Sequence, residues 1–229
     1  MTPEMAFECL LVSPDPAVFS TMDGILHDFS IATKVCPYPS DAAPLLDEGS
    51  TDLIVIDLEA ENASELLRQI RARTRQKPTV LAVSAADRVA PEVHVFLRKP
   101  VTHESGLTSL KAAYSRMVRD YRKHTRFAVM TPVVATDDDE RTLPITVTNI
   151  GEGGVGLTSV ETFQIGGILS FRMRLPDLKN EISIDTRVLW TRPYGAAGCE
   201  FVRISPFDLQ LLHAWLESRY RIKRPLISV

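Results

Sequence analysis

The sequence predicts two fold classes in series: an α/β doubly wound parallel sheet, then a small antiparallel β-barrel with a C-terminal helix. Three observations carry this. Short apolar runs at residues 7–12, 53–56 and 79–83 alternate with amphipathic stretches, as parallel strands covered on both faces do. From Pro132 onward the runs instead alternate in polarity and are bounded by turn residues, as half-buried strands are. Between the two patterns lies a basic stretch, Arg122-Lys123-His124-Thr125-Arg126, so the division is placed at residues 1–121 and 122–229.

Composition narrows the function classes. The chain has 229 residues, 45% hydrophobic and 24% charged, with a formal net charge of -3. These values describe an ordinary soluble protein of one to two domains. The pI near 6.0 argues against a general nucleic-acid binder, which carries a basic excess. Cys9, Cys36 and Cys199 form no Cys-x-x-Cys pair, so a disulfide framework and a zinc site are both disfavoured and a reducing cytoplasm is expected. Met1-Thr2-Pro3-Glu4-Met5 shows no signal-peptide pattern, and no apolar run approaches the roughly 20 residues of a membrane span. The expectation is a cytoplasmic protein without membrane insertion.

In the first half, residues 7–12 read as a strand stopped by Ser13-Pro14-Asp15-Pro16. Val18, Met22, Ile25 and Phe29 then recur at helical spacing. Residues 31–36 and 53–56 are further strands, and Asn62 with Glu65 suggests a capping box opening a helix through Leu66, Leu67 and Ile70. Strands at 79–83 and 93–97 follow, then a helix from about Thr102 to Tyr121. Ligands of such sheets sit beyond the carboxyl ends of the strands, where Asp57, Ser84 and Lys99 each follow a strand.

These residues give the half a resemblance to response-regulator receiver domains. Asp57 falls at the phosphoacceptor, Ser84 at the switch hydroxyl, Phe96 at the switch aromatic, and Lys99-Pro100 at the lysine-proline pair. The acidic pair that holds magnesium in that family is replaced by Ser13-Pro14, with Asp15 one step on. Magnesium requires hard oxygen ligands, and without it a transferring phosphoryl group keeps its charge unneutralised. The resemblance therefore implies a degenerate phosphoacceptor site, with no metal expected. The half is expected to dock an unidentified protein partner or to form a homodimer.

In the second half, residues 132–136, 143–148, 155–159, 168–175, 181–191 and 198–204 read as strands. Ser205 caps a final helix with Pro206 at its first position and an apolar stripe of Leu209, Leu212, Trp215, Leu216 and Tyr220. The acidic run 137–140 reads as a solvated hairpin tip. The five histidines form no pair at ligand spacing, and no activated serine or cysteine is visible, so no enzyme is expected.

The chemistry lies in the basic stretch and one polar turn. Guanidinium forks pair bidentately with phosphate and with the O6 and N7 of guanine. Arg122 and Arg126, separated by three residues of non-helical chain, are expected to approach such a ligand from different sides. Asn149 offers both a donor and an acceptor, and Gly151, Gly153 and Gly154 permit positive backbone angles and close approach of N–H groups to an anion.

With Arg187-Val188-Leu189-Trp190 and Gly198-Cys199-Glu200-Phe201, these motifs resemble the PilZ domain, the bacterial receptor module for cyclic di-GMP, over about residues 120–220. The resemblance implies ligand-binding roles for Arg122, Arg126, Asn149, Gly151 and Gly154. The family's motif serine is Gly151 here, which removes a hydrogen bond worth about 0.5–1.5 kcal/mol. The implied protein is a bacterial second-messenger effector whose ligand is clamped at the inter-domain joint. The alternative is a nucleotide-independent scaffold with a decayed site.

Overall fold

The computed structural model describes residues 6–47, 51–72, 77–86, 90–222 and 225–227. The signal-peptide reading of residues 1–5 lies outside these. The chain forms two compact units, Met1–Arg119 with Arg221–Val229, and Asp120–Tyr220.

The first unit is a parallel sheet of β1 (Glu8–Val12), β2 (Ala32–Cys36), β3 (Leu53–Asp57), β4 (Thr79–Ser84) and β5 (Val95–Arg98). The spatial order β2-β1-β3-β4-β5 is a doubly wound order with its switch between β1 and β3. All residues of β3 and β4 are buried, which accounts for their unbroken apolar sequence. Helices α1 (Pro16–Asp28), α2 (Pro39–Asp47), α3 (Ala63–Ala72) and α4 (His103–His124) accompany the sheet. Asp15 caps α1, accepting the Ala17 N–H at 2.9 Å. Tyr114 of α4 packs against Phe7 and Phe29, with ring centroids 5.7 and 5.3 Å away.

Three sequence expectations change here. Helix α2 falls in a stretch to which the sequence reading assigned no element, and Pro44 lies inside this nine-residue helix. Helix α3 does follow Asn62, but Asn62 has φ 65°, which is not the extended conformation of a capping-box residue. Helix α4 runs to His124, so Arg122 lies in a final helical turn and the Arg122–Arg126 stretch is not wholly non-helical. A basic last turn, Arg122-Lys123-His124, suits the negative end of the helix dipole.

The second unit is a closed antiparallel barrel in the order β10-β11-β8-β7-β6-β9. Its strands are β6 (Phe127–Asp137), β7 (Thr142–Gly151), β8 (Gly154–Thr158), β9 (Ile168–Arg174), β10 (Glu181–Arg192) and β11 (Ala196–Ile204). Strand β6 begins earlier than expected and includes Pro132. Between Phe127 and Thr136 it pairs with β7, while β9 joins only at Ala135–Asp137, so Pro132 needs no ladder donor on that side. Inward residues such as Val147, Leu157, Phe171, Ile184 and Val188 fill the barrel, and α5 (Pro206–Glu217) adds Leu212, Trp215 and Leu216 to the same core. Ser205 caps α5, its hydroxyl accepting the Asp208 N–H at 3.1 Å. Trp215 is buried and donates its indole N–H to the Pro176 carbonyl at 2.8 Å.

Burial of the central strands sets the first stability prediction. Leu81→Ala on β4, a fully buried position, lowers the unfolding free energy by about 2–5 kcal/mol in chemical denaturation of the full chain.

Candidate functional site

Two side-chain constellations stand out, one in each unit. In the first, Asp57 ends β3 and is 1% exposed. Its Oδ2 accepts from the Ser13 hydroxyl at 2.9 Å and from the Lys99 ammonium at 2.8 Å, and its Oδ1 accepts the Glu59 N–H at 3.1 Å. Lys99 also reaches Glu59 at 2.9 Å and Asp15 at 3.6 Å. Burial alone would lower the ammonium's pKa, but the hydrogen bonds and charges of Asp57 and Glu59 outweigh it and raise the pKa to about 12. Ser84 is buried and turned to its own loop, accepting the Ala86 N–H at 3.1 Å. The structure thus joins Asp57 and Lys99 and adds Ser13, read in the sequence only as a departure from the acidic pair, and Glu59, which sequence reading passed over. Ser13 puts a donor beside the carboxylate where a receiver has an acid. No group of three or more His, Cys, Asp or Glu able to hold a metal occurs among the described residues.

In the second unit the arm is Arg122-Lys123-His124-Thr125-Arg126, spanning the end of α4 and the entry to β6. Arg126 is exposed and lies against Gly151 at the end of β7. Its Nη1 donates to the Lys123 and Thr125 carbonyls at 2.9 and 3.2 Å. A Cβ at position 151 would meet both the Arg126 side chain and the Thr125 carbonyl. Gly151 is therefore more than a serine without its hydroxyl, because the arm fills the space a side chain would take. The expectation of positive backbone angles in this turn is corrected. Among the described glycines only Gly166 and Gly195 have positive φ, and Gly154 is required instead because a Cβ there would run into the Cys199 carbonyl.

A cleft of about 360 Å³ on the barrel's outer face is lined by Arg126, Asn149, Gly156, Trp190 and Gly198, among others. Its floor follows from strand register. Asn149 on β7 pairs with Gly156 on β8, and Trp190 on β10 pairs with Gly198 on β11. Each glycine leaves its partner's side chain free to lie across it, since a Cβ would collide with the Asn149 amide or the Trp190 ring. Register shifts between Val147 and Asn149 and between Val188 and Trp190 add one residue each to β7 and β10. Such bulges re-aim side chains outward. Trp190 is 45% exposed, with the Arg192 guanidinium 5.0 Å from its ring centroid.

Arg122 is engaged differently. Its Nη1 and Nη2 pair with the two carboxylate oxygens of Glu217 at 2.9 and 3.1 Å, and its guanidinium lies 5.4 Å from the Tyr220 ring centroid. The Tyr220 hydroxyl sits 3.4 Å from both the Arg122 carbonyl and the Glu152 carboxylate. Burial and then the nearby Glu152 charge push the Tyr220 phenol pKa up. Of the residues singled out in the sequence, Arg126 and Asn149 share the cleft, while Gly151 lies under Arg126 and Gly154 against the Cys199 carbonyl. Arg122 faces α5. Trp190, Arg192 and Glu217 were not anticipated as parts of the site. For Trp190 the sequence signal was its place in the Arg187-Val188-Leu189-Trp190 motif, without a ligand-facing role.

The ion pair in the first unit predicts a pH-dependent stability. Lys99→Met leaves Asp57 short of its ammonium donor and costs about 1–3 kcal/mol near neutral pH. A folded pKa raised above 10.5 means that the contribution is full below that pH and is lost as pH rises through about 12. The gap between wild type and variant, followed by urea denaturation, narrows across that window.

Comparison with known proteins adds the family. Residues 120–218 match the PilZ domain family. No curated protein matches the chain. Among solved structures, a CheY-like receiver domain from Methylobacillus flagellatus is 20% identical, covers 49% of this chain and 99% of its own, and has a TM-score of 0.43. A signal receiver domain of an HD domain-containing protein from Pseudomonas fluorescens Pf-5 is 17% identical, covers 55% and 98%, and has a TM-score of 0.47. The Bacillus subtilis inhibitor of motility MotI/DgrA is 21% identical over 43% of this chain and 50% of its own, with a TM-score of 0.35. The receiver-like architecture of the first unit stands on its strand order rather than on these likenesses. Residues 120–218 are a PilZ domain, preceded in the chain by a receiver-like parallel sheet.

Proposed function

We propose that this protein is a bacterial, cytoplasmic cyclic di-GMP effector that acts by binding rather than by catalysis. The observation that carries the reading is the cleft in which Arg126, Asn149 and Trp190 meet, within a segment of the PilZ family. The Arg126 fork is suited to a guanine edge or a phosphate, and Asn149 can both donate to and accept from a base edge. The exposed Trp190 face offers a base a stacking surface. Arg122, at the root of the arm, is suited to a phosphate.

Arg122 and Arg126 follow directly on the chain that leaves the first unit. A ligand that holds both arginines orders this connection and shifts the population of domain arrangements, presenting or hiding a partner surface. The first unit serves as a docking module, its Asp57 held by Ser13 and Lys99 rather than by a metal. A second reading, a nucleotide-independent scaffold, draws on the self-satisfied state of both arginines: Glu217 holds Arg122, and backbone carbonyls hold Arg126.

Calorimetry with cyclic di-GMP separates the two. Wild type binds, Arg126→Ala weakens binding by about 1.5–3 kcal/mol, and Trp190→Ala by about 1–3 kcal/mol. No heat at millimolar nucleotide leaves the scaffold reading standing. Small-angle scattering at saturating ligand is expected to differ from the free profile, and superimposable curves would remove the orientation mechanism.

A further inference from the structure

We infer that Glu217 is an internal competitor for the anion site: it occupies Arg122 in the free protein, so a phosphate reaches that fork only by exchange with the Glu217 carboxylate. The inference rests on the proposed nucleotide site and names the residue that sets its affinity.

The geometry is that of a fork already filled. Both terminal nitrogens of Arg122 meet the two oxygens of one carboxylate, at 2.9 and 3.1 Å. The Nε hydrogen is covered and makes no hydrogen bond, so the other bidentate edge of the guanidinium is not open to an oxyanion. A phosphate that left Glu217 in place would have only the outer N–H of each terminal nitrogen. It would also sit beside a carboxylate of its own sign. Exchange removes both obstacles.

The position of Glu217 explains why the pair is responsive. It is the last residue of α5, where the helix dipole is negative and an acid is disfavoured. Arg122 compensates that placement. When a ligand takes the guanidinium, the compensation is lost and the last turn of α5 loosens. The same end of the chain reaches the polar turn through Tyr220, whose hydroxyl lies 3.4 Å from Glu152, between Gly151 and Gly153. Release of Glu217 is therefore felt on both sides of the site.

The test is a double-mutant cycle on the full chain with two ligands, cyclic di-GMP by calorimetry and inorganic pyrophosphate by thermal shift. Glu217→Gln keeps the side-chain shape at a half-exposed position and removes the charge. It is expected to tighten cyclic di-GMP by about twofold to fivefold. The gain disappears in Arg122→Ala, and Glu140→Gln, the same charge change on an exposed hairpin residue, leaves affinity unchanged. Where wild type binds cyclic di-GMP, a Glu217→Gln affinity for it equal to or below wild type overturns the inference, as does a gain that persists without Arg122. If wild type and Glu217→Gln bind cyclic di-GMP equally, the nucleotide function survives and the competitor role falls. If neither binds it, yet Glu217→Gln gains pyrophosphate affinity through Arg122, the competitor role stands and the nucleotide reading falls.

Discussion

The second unit depends on what holds its arginine arm. The arm itself is polar, and nothing in its own sequence fixes its direction. Its two ends are pinned by aromatic rings: Tyr121 meets Tyr220 at 5.8 Å, and Phe127 meets Tyr220 at 5.5 Å and Trp215 at 6.0 Å, all edge-to-face. Such contacts contribute about 0.5–1.5 kcal/mol each beyond the area they bury. They tie the arm to α5, and α5 in turn contributes Leu212, Trp215 and Leu216 to the barrel core. The placement of Arg122 and Arg126 is thus inherited from barrel packing through one aromatic cluster. That is why two charged side chains with long, flexible stems have a defined location at all.

The first unit shows the opposite economy. Asp57 is almost fully buried, and a lone carboxylate there would be costly. Three donors, from Ser13, Lys99 and the Glu59 backbone, satisfy it, and Glu59 and Asp15 share the ammonium. The cluster is closed on itself. A carboxylate so fully occupied must lose a partner before its oxygens can attack an incoming group, which fits a strand-end ion pair kept for structure.

Much of the architecture was legible because it follows from periodicity. The all-buried β3 and β4 announce themselves as apolar runs, and β9 and β10 as far as Val188 as alternation. What stayed hidden had physical reasons of its own. Helix α2 contains two prolines, one of them inside it, so local chemistry argued against the helix that the fold requires. The site was legible as motif residues but not as a site. Asn149 and Trp190 become parts of one cleft only through register, which sets Gly156 and Gly198 beneath them, and through bulges at Thr148 and Leu189. Neither register nor bulge position is written in a single strand's sequence. Glu217 was invisible for a simpler reason. It is one exposed acid among many, and only the tertiary fold brings it to Arg122, 95 residues away.

Gly151 illustrates how a departure from a motif can be absorbed. Read as a serine that lost its hydroxyl, it subtracts one hydrogen bond from a ligand. In the folded barrel it does something else, because Arg126 lies across it and a Cβ would strike the Thr125 carbonyl. A serine at 151 would force the arm outward, whereas glycine lets the guanidinium rest on the strand and donate to the arm's own carbonyls. Those bonds are exposed and can be given up to a ligand at little cost, since water takes over the released carbonyls. The substitution therefore changes where the arginine waits as well as what the turn can donate. The first effect acts on the free state and the second on the bound state, and ligand affinity is the difference between the two.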